Sequence, residues 1–102
     1  MKLITKAIAA KLAKKSDKPA LKLFSPVGAA TWLISEIDEN RIMFGLCDLG
    51  HGSPELGYVS LDEIESVRLP FGLKIERDLH FTPSKTLAEY ADEARSAGRI
   101  VA

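Results

Sequence analysis

The sequence predicts an α+β domain: a small antiparallel sheet of four to five strands, with an N-terminal helix, a short middle helix and a C-terminal helix. Three observations lead there. Residues 20–59 break into short apolar runs separated by Pro, Gly and Asn turn signals, as strands do. Residues 3–14 repeat their apolar side chains at helical spacing instead. Two later stretches, opening at Ser60 and at Thr82, begin with helix-start residues and continue with a periodic apolar face. The 102 residues suffice for one domain with one core.

In the first helix Ile4, Ile8 and Leu12 form one stripe, with Leu3 and Ala7 beside it, and Ser16-Asp17-Lys18-Pro19 ends it. Residues 20–25 alternate Leu21 and Leu23 against Lys22 and Phe24, a short strand. Pro26-Val27-Gly28 turns the chain. Residues 29–37 form a second strand, with Trp32 and Ile34 on one face and Leu33 and Ile37 nearer the other. Asp38-Glu39-Asn40 makes the next hairpin connection, and Asn40 is the residue suited to positive φ.

The third strand, residues 41–49, sets Ile42, Phe44 and Leu46 against Met43, Cys47 and Leu49. Apolar residues on both faces predict an internal strand covered on both sides. Gly45 in its middle predicts either close approach of a neighbour or a bulge. A fourth strand covers residues 56–59. Ser60 and Glu63 have the spacing of a capping box, and the helix they open buries Leu61, Ile64 and Val67 before Pro70. After a Pro70-Phe71-Gly72 turn, residues 73–77 alternate as a fifth strand that 79–81 could extend. Thr82-Pro83 then predicts a cap followed by proline at the first helical position. Leu87, Tyr90, Ala91 and Ala94 line that helix and Gly98 stops it.

Hydrophobic residues make up 46% and charged residues 27% of the chain, the balance of a folded protein rather than a disordered one. A single cysteine, Cys47, excludes an intramolecular disulfide and fits a cytoplasmic setting. No apolar run approaches the roughly 18–20 residues of a membrane span, so no membrane partner is expected. Lys6, Lys11, Lys14 and Lys15 interrupt the apolar residues of the N-terminal stretch, which therefore reads as an amphipathic helix rather than a signal peptide. The net charge is zero but unevenly spread: residues 1–22 hold seven lysines and one acid, and the remainder carries the compensating negative excess. Lys11, Lys14, Lys15 and Lys18 cluster around the end of the first helix. They suit phosphate contact or an acidic partner, or they simply solvate the helix. They lack arginine and interleaved aromatics.

The potential chemistry is concentrated in the loop from Asp48 to Glu55, between the third and fourth strands. His51 is a side chain of the type that can exchange a proton or ligate a metal, and Asp48 or Glu55 could orient it. The Asp-x-x-His-x-x-x-Glu spacing matches no metal pattern, and the competing reading is a wide hairpin loop in which Asp48 caps backbone amides. Gly50-x-Gly52 lacks the third glycine and the following helix of a dinucleotide fingerprint, so no cofactor is expected. His80 could converge with His51 or be a half-buried structural residue. Cys47 reads as an inert core thiol.

Four segments, MKLITKAIAAKL (1–12), KLFSPVGAATWLISEID (22–38), FGLCDLGHGSPELGYVSLDEIESVR (44–68) and IERDLHFTPSKTLAEYADEAR (75–95), resemble domain-of-unknown-function family 2958 over almost the whole chain. The chain lacks a longer insertion after the first helix, where residues 14–19 are short. The resemblance implies a small bacterial protein of plasmids and integrative conjugative elements, with an accessory role in transfer or in countering host defence. It implies no catalytic residue. Gly45, Asp48, Gly50, Pro54, Glu55, Gly57 and Tyr58 match the family's signature region.

The expected function is that of a non-enzymatic binding module acting on protein or nucleic acid. Its candidate surfaces are the loop bearing Asp48, Gly50, His51, Pro54, Glu55 and Tyr58, and the lysines 11, 14, 15 and 18. A small hydrolase or metal-dependent enzyme using Asp48, His51 and Glu55 is the alternative. Self-association of the basic end with another copy's acidic half is a third expectation.

Overall fold

The computed structural model describes residues 3–102; Met1 and Lys2, one of the seven N-terminal lysines, lie outside them. The elements run α1 (Lys6–Ala13), β1 (Leu21–Phe24), β2 (Thr31–Ile37), β3 (Ile42–Asp48), β4 (Glu55–Ser60), α2 (Leu61–Ser66), a 3-10 turn (Pro70–Gly72), β5 (Glu76–Arg77) and α3 (Leu87–Ala97). The strands form one antiparallel sheet in the order β4-β3-β2-β1-β5. The first four strands are a meander, and β5 joins the far side of β1. The protein is therefore α+β, with helices at both ends of the chain and a short one in the middle.

The sheet separates two cores. On one face Leu21, Leu23, Trp32, Ile34 and Met43 pack with Leu12 of α1, with Leu61 and Ile64 of α2, and with Leu3 and Ile75. On the other, Leu33 and Leu46, directly opposed across β2 and β3, pack with Leu87, Tyr90, Ala91 and Ala94 of α3 and with Ile100. Leu33 and Leu46 are wholly buried, each a side chain whose burial is worth about 1.5–3 kcal/mol. The two-faced apolar pattern of β3 thus reports two helical layers. All four predicted contact residues of α3 are buried.

A bulge explains the main departure from simple alternation. Ile34 pairs with Gly45 but Glu36 pairs with Phe44, so Ser35 is an extra residue in β2. Its buried hydroxyl donates to the Phe44 carbonyl at 3.4 Å. Beyond it the phase is reversed: Ile37 pairs with Met43 and joins the Trp32 core rather than the Leu33 face expected for it. Gly45 is the other half of this device. A β-carbon there would stand 2.0 Å from the Leu33 carbonyl oxygen and 2.9 Å from Ile34 Cα.

Other boundaries moved for local reasons. Helix α1 starts only at Lys6, because Thr5 caps it by accepting from the Ile8 amide at 3.2 Å. In the β2–β3 hairpin Asp38 Oδ1 accepts from the Asn40 and Ile42 amides, each at 2.9 Å, and this places the left-handed residue at Arg41 (φ 62°) rather than Asn40. Leu49 lies beyond the end of β3 and is exposed. Only half of the Ser60 capping box forms: the hydroxyl accepts from the Glu63 amide at 3.2 Å. Helix α2 ends at Ser66, which leaves Val67 as its exposed C-cap rather than a core residue. Residues 73–75 are not strand, so β5 shrinks to two residues.

The start of α3 is the clearest correction. Thr82-Pro83 does not open it. Thr86 does, through a full capping box in which its hydroxyl accepts from the Glu89 amide at 3.2 Å and its own amide donates to the Glu89 carboxylate at 2.9 Å. Gly98 ends the helix in the left-handed conformation (φ 75°), as its position predicts.

Candidate functional site

The loop between β3 and β4 is built on Asp48, which is 2% exposed. One carboxylate oxygen accepts from the Gly50 amide at 2.8 Å and the other from the Ile100 amide at 2.9 Å. A buried carboxylate is costly without such partners, and charge-assisted bonds to amides supply them. Asp48 thereby fastens the end of β3 and the loop to the segment that follows α3. Gly50 and Gly52 both have positive φ (86° and 81°), and a β-carbon on Gly50 would press to 2.9 Å from the Ala29 side chain. Pro54 is buried. His51 and Glu55 are exposed, and Tyr58, on β4, is 75% exposed. The six loop residues therefore divide. Asp48, Gly50 and Pro54 shape the loop, and His51, Glu55 and Tyr58 face solvent.

His80 is also exposed, in a turn set by its own amide donating to the Asp78 carboxylate at 2.9 Å. Among the described residues, no three His, Cys, Asp or Glu side chains come together as a metal-binding group. Cys47 is half-buried against the Trp32 core, and burial pushes its thiol pKa up, away from a reactive thiolate. The Asp48 side chain does form one wall of a groove of about 590 Å³, which also runs past Gly28, Gly52, Gly98 and the cations Lys22 and Arg99. Lys22 is already engaged there, donating to the Ala102 carbonyl at 2.7 Å and standing 3.6 Å from the Asp78 carboxylate.

The lysines at the end of α1 divide too. Lys11, Lys14 and Lys18 line one groove of about 300 Å³, whose other walls are Pro19, Phe81, Thr82 and Pro83. Lys15 takes a left-handed conformation (φ 50°) and faces a different groove, beside Phe44 and Leu56. Among the described residues none of these four lysines has an acidic partner within salt-bridge distance, whereas Lys22, Arg41, Lys85 and Arg95 all do. Phe81 is the aromatic neighbour that the lysine-rich segment itself lacks. No sequence signal pointed to it, because it is remote along the chain and comes close only through folding.

The fold and geometry together define a small α+β protein with a lysine-lined groove at the end of α1 and a β3–β4 loop clamped by a buried aspartate. The chain belongs to the family described as Protein of unknown function (DUF2958), whose profile matches residues 1–101. No curated protein and no solved structure matches it. Among the described residues no helix is long and apolar enough to cross a membrane.

Proposed function

We propose that the protein is a non-enzymatic binding module that holds a nucleic-acid phosphate backbone in the groove of Lys11, Lys14 and Lys18. The reading rests on three lysines that line one groove and form no ion pair within salt-bridge distance among the described residues, beside an aromatic ring and two prolines. Cations clustered at one end of a chain with no net charge concentrate positive potential where a polyanion can use it. Phe81 adds a ring on which an unpaired base can stack. Contacts of this kind position a nucleic acid and carry no sequence information. The plasmid and conjugative-element setting implied by the family resemblance gives such a module a natural place, as an accessory in transfer or counter-defence.

The enzymatic alternative, on Asp48, His51 and Glu55, receives less support. Asp48 has both oxygens engaged by backbone amides, while His51 and Glu55 face solvent.

The test is fluorescence anisotropy with single- and double-stranded DNA at several salt concentrations. Three phosphate contacts predict a slope of log K against log salt of about −2 for a single strand and about −3 for a duplex. The Lys11→Glu, Lys14→Glu, Lys18→Glu variant is expected to lose that binding while keeping its circular dichroism. Binding unchanged in the folded variant would remove this groove from the reading. If DNA does not bind even at low salt, an acidic protein segment becomes the occupant to test.

A further inference from the structure

The outer edge of β4 is open. Glu55–Ser60 pairs with β3 on one side only, and β4 is the last strand of the sheet. A six-residue edge presents a row of unpaired backbone groups, and folded proteins ordinarily blunt such an edge with lysine, proline or a bulge. The sequence Glu-Leu-Gly-Tyr-Val-Ser has none of these. Its single charge is Glu55, and two of its apolar residues are exposed, Leu56 at 38% and Tyr58 at 75%.

Gly57 has no explanation within one copy of the chain. Its partner across the strands, Gly45, is glycine because the β2 backbone leaves no room for a side chain. A β-carbon on Gly57 would meet nothing within 4 Å. A mid-strand glycine with free space around it suits a place where another backbone approaches.

We propose that β4 pairs with β4 of a second copy of this chain, antiparallel and centred on Gly57, joining two sheets into one. The two-fold places Gly57 against Gly57, Leu56 against Tyr58 and Glu55 against Val59. No like charges meet, and the two exposed apolar residues cover each other twice. The same surface thus serves both copies, as an isologous contact requires. The geometry also supplies a seat for Tyr58. Leu56 and Tyr58 lie on the α3 face of the sheet, opposite Leu46 and Phe44, and the Phe44 and Tyr58 rings are 5.0 Å apart. Beside Leu56 on that face is a groove of about 410 Å³ lined by Phe44, Leu56 and Leu87, with Lys15 and Glu36 among its polar residues. In the Gly57-centred register, Tyr58 of the second copy stands opposite Leu56, next to this groove. The aromatic body fits its apolar walls and the phenol reaches polar groups at the rim.

Sedimentation equilibrium from about 1 μM to about 1 mM tests the pairing over the range of weak to moderate affinities. The parent is expected to pass from monomer to dimer, and Tyr58→Lys to weaken the association at least tenfold without altering the fold. In a Cys47→Ser background, Gly57→Cys is expected to oxidise to a disulfide-linked dimer and Ser53→Cys is not. Either spacing of opposed residues in an antiparallel pair, about 4.5 or 5.5 Å, is within disulfide reach. A parent that stays monomeric throughout would overturn the proposal. So would a dimer that survives Tyr58→Lys and forms no disulfide at position 57.

Discussion

The two edges of the sheet differ in how they are finished. β5 is two residues long, both of them charged, and Arg77 donates from its guanidinium to the Leu3 carbonyl at 3.1 Å. Short length and charge are the standard means of discouraging further strand pairing. β4 is three times as long, carries one charge, and holds an exposed tyrosine beside an apolar groove. The β5 edge is complete within a single copy of the chain. The β4 edge is complete only if another strand lies against it, and so edge composition separates a finished boundary from an interface.

Gly45 and Gly57, paired across β3 and β4, give the largest expected contrast. Gly45→Ala drives a methyl into the β2 backbone and is expected to cost about 3 kcal/mol or more in urea unfolding, at the upper end of overpacking effects. Gly57→Ala meets open space and is expected to change the unfolding free energy of dilute protein by less than about 0.5 kcal/mol. Comparable losses at both positions would break the distinction between interior and edge.

Asp48 comes next, because it fixes the loop that leads into β4. Asp48→Ala removes the acceptor from the Gly50 and Ile100 amides and is expected to cost about 2–3 kcal/mol, with faster hydrogen exchange at those two amides. Asp48→Asn keeps one good acceptor but turns an amide NH2 group, itself a donor, toward the other donor, and should fall between parent and alanine.

A smaller effect is expected at Thr86, on α3. Thr86→Ala is expected to cost about 1 kcal/mol in thermal or urea unfolding, and Thr82→Ala essentially nothing. The Thr86 amide and hydroxyl hold the Glu89 carboxyl below its usual pKa. A carboxyl depressed on folding stabilises above its unfolded pKa, and that contribution is lost as pH falls through the lower folded value. The Thr86→Ala variant keeps that amide, so the pH test belongs to Glu89→Gln: its difference from the parent should narrow in acid, and a constant difference down to full carboxyl protonation would argue against the capping box. The smallest effect belongs to the β5 edge. Glu76→Val should leave stability within about 0.5 kcal/mol and sedimentation unchanged, since two residues offer too little edge to pair.

The kinds of element and their order were legible in the chain's local patterns, because side-chain periodicity and turn residues act over a few neighbours. The four buried positions of α3, the Gly98 stop, the two-faced β3 and the demand for space at Gly45 were all legible on that basis. The capping box at Thr86 and Glu89 was also present in the sequence, but Thr82-Pro83 offered a competing start signal, and the packing of Leu87 and Tyr90 selected the later one. Tertiary structure alone decided the rest. A one-residue bulge at Ser35 reversed the facing of Ile37, which no alternation rule anticipates. Both Asp48 oxygens found amides, one of them on Ile100, half the chain away. Phe81 came to lie beside Lys11, Lys14 and Lys18, and β4 rather than β5 became the open edge. Each of these depends on which distant backbone stands next to which, and that is settled by burying two apolar faces at once rather than by any local preference.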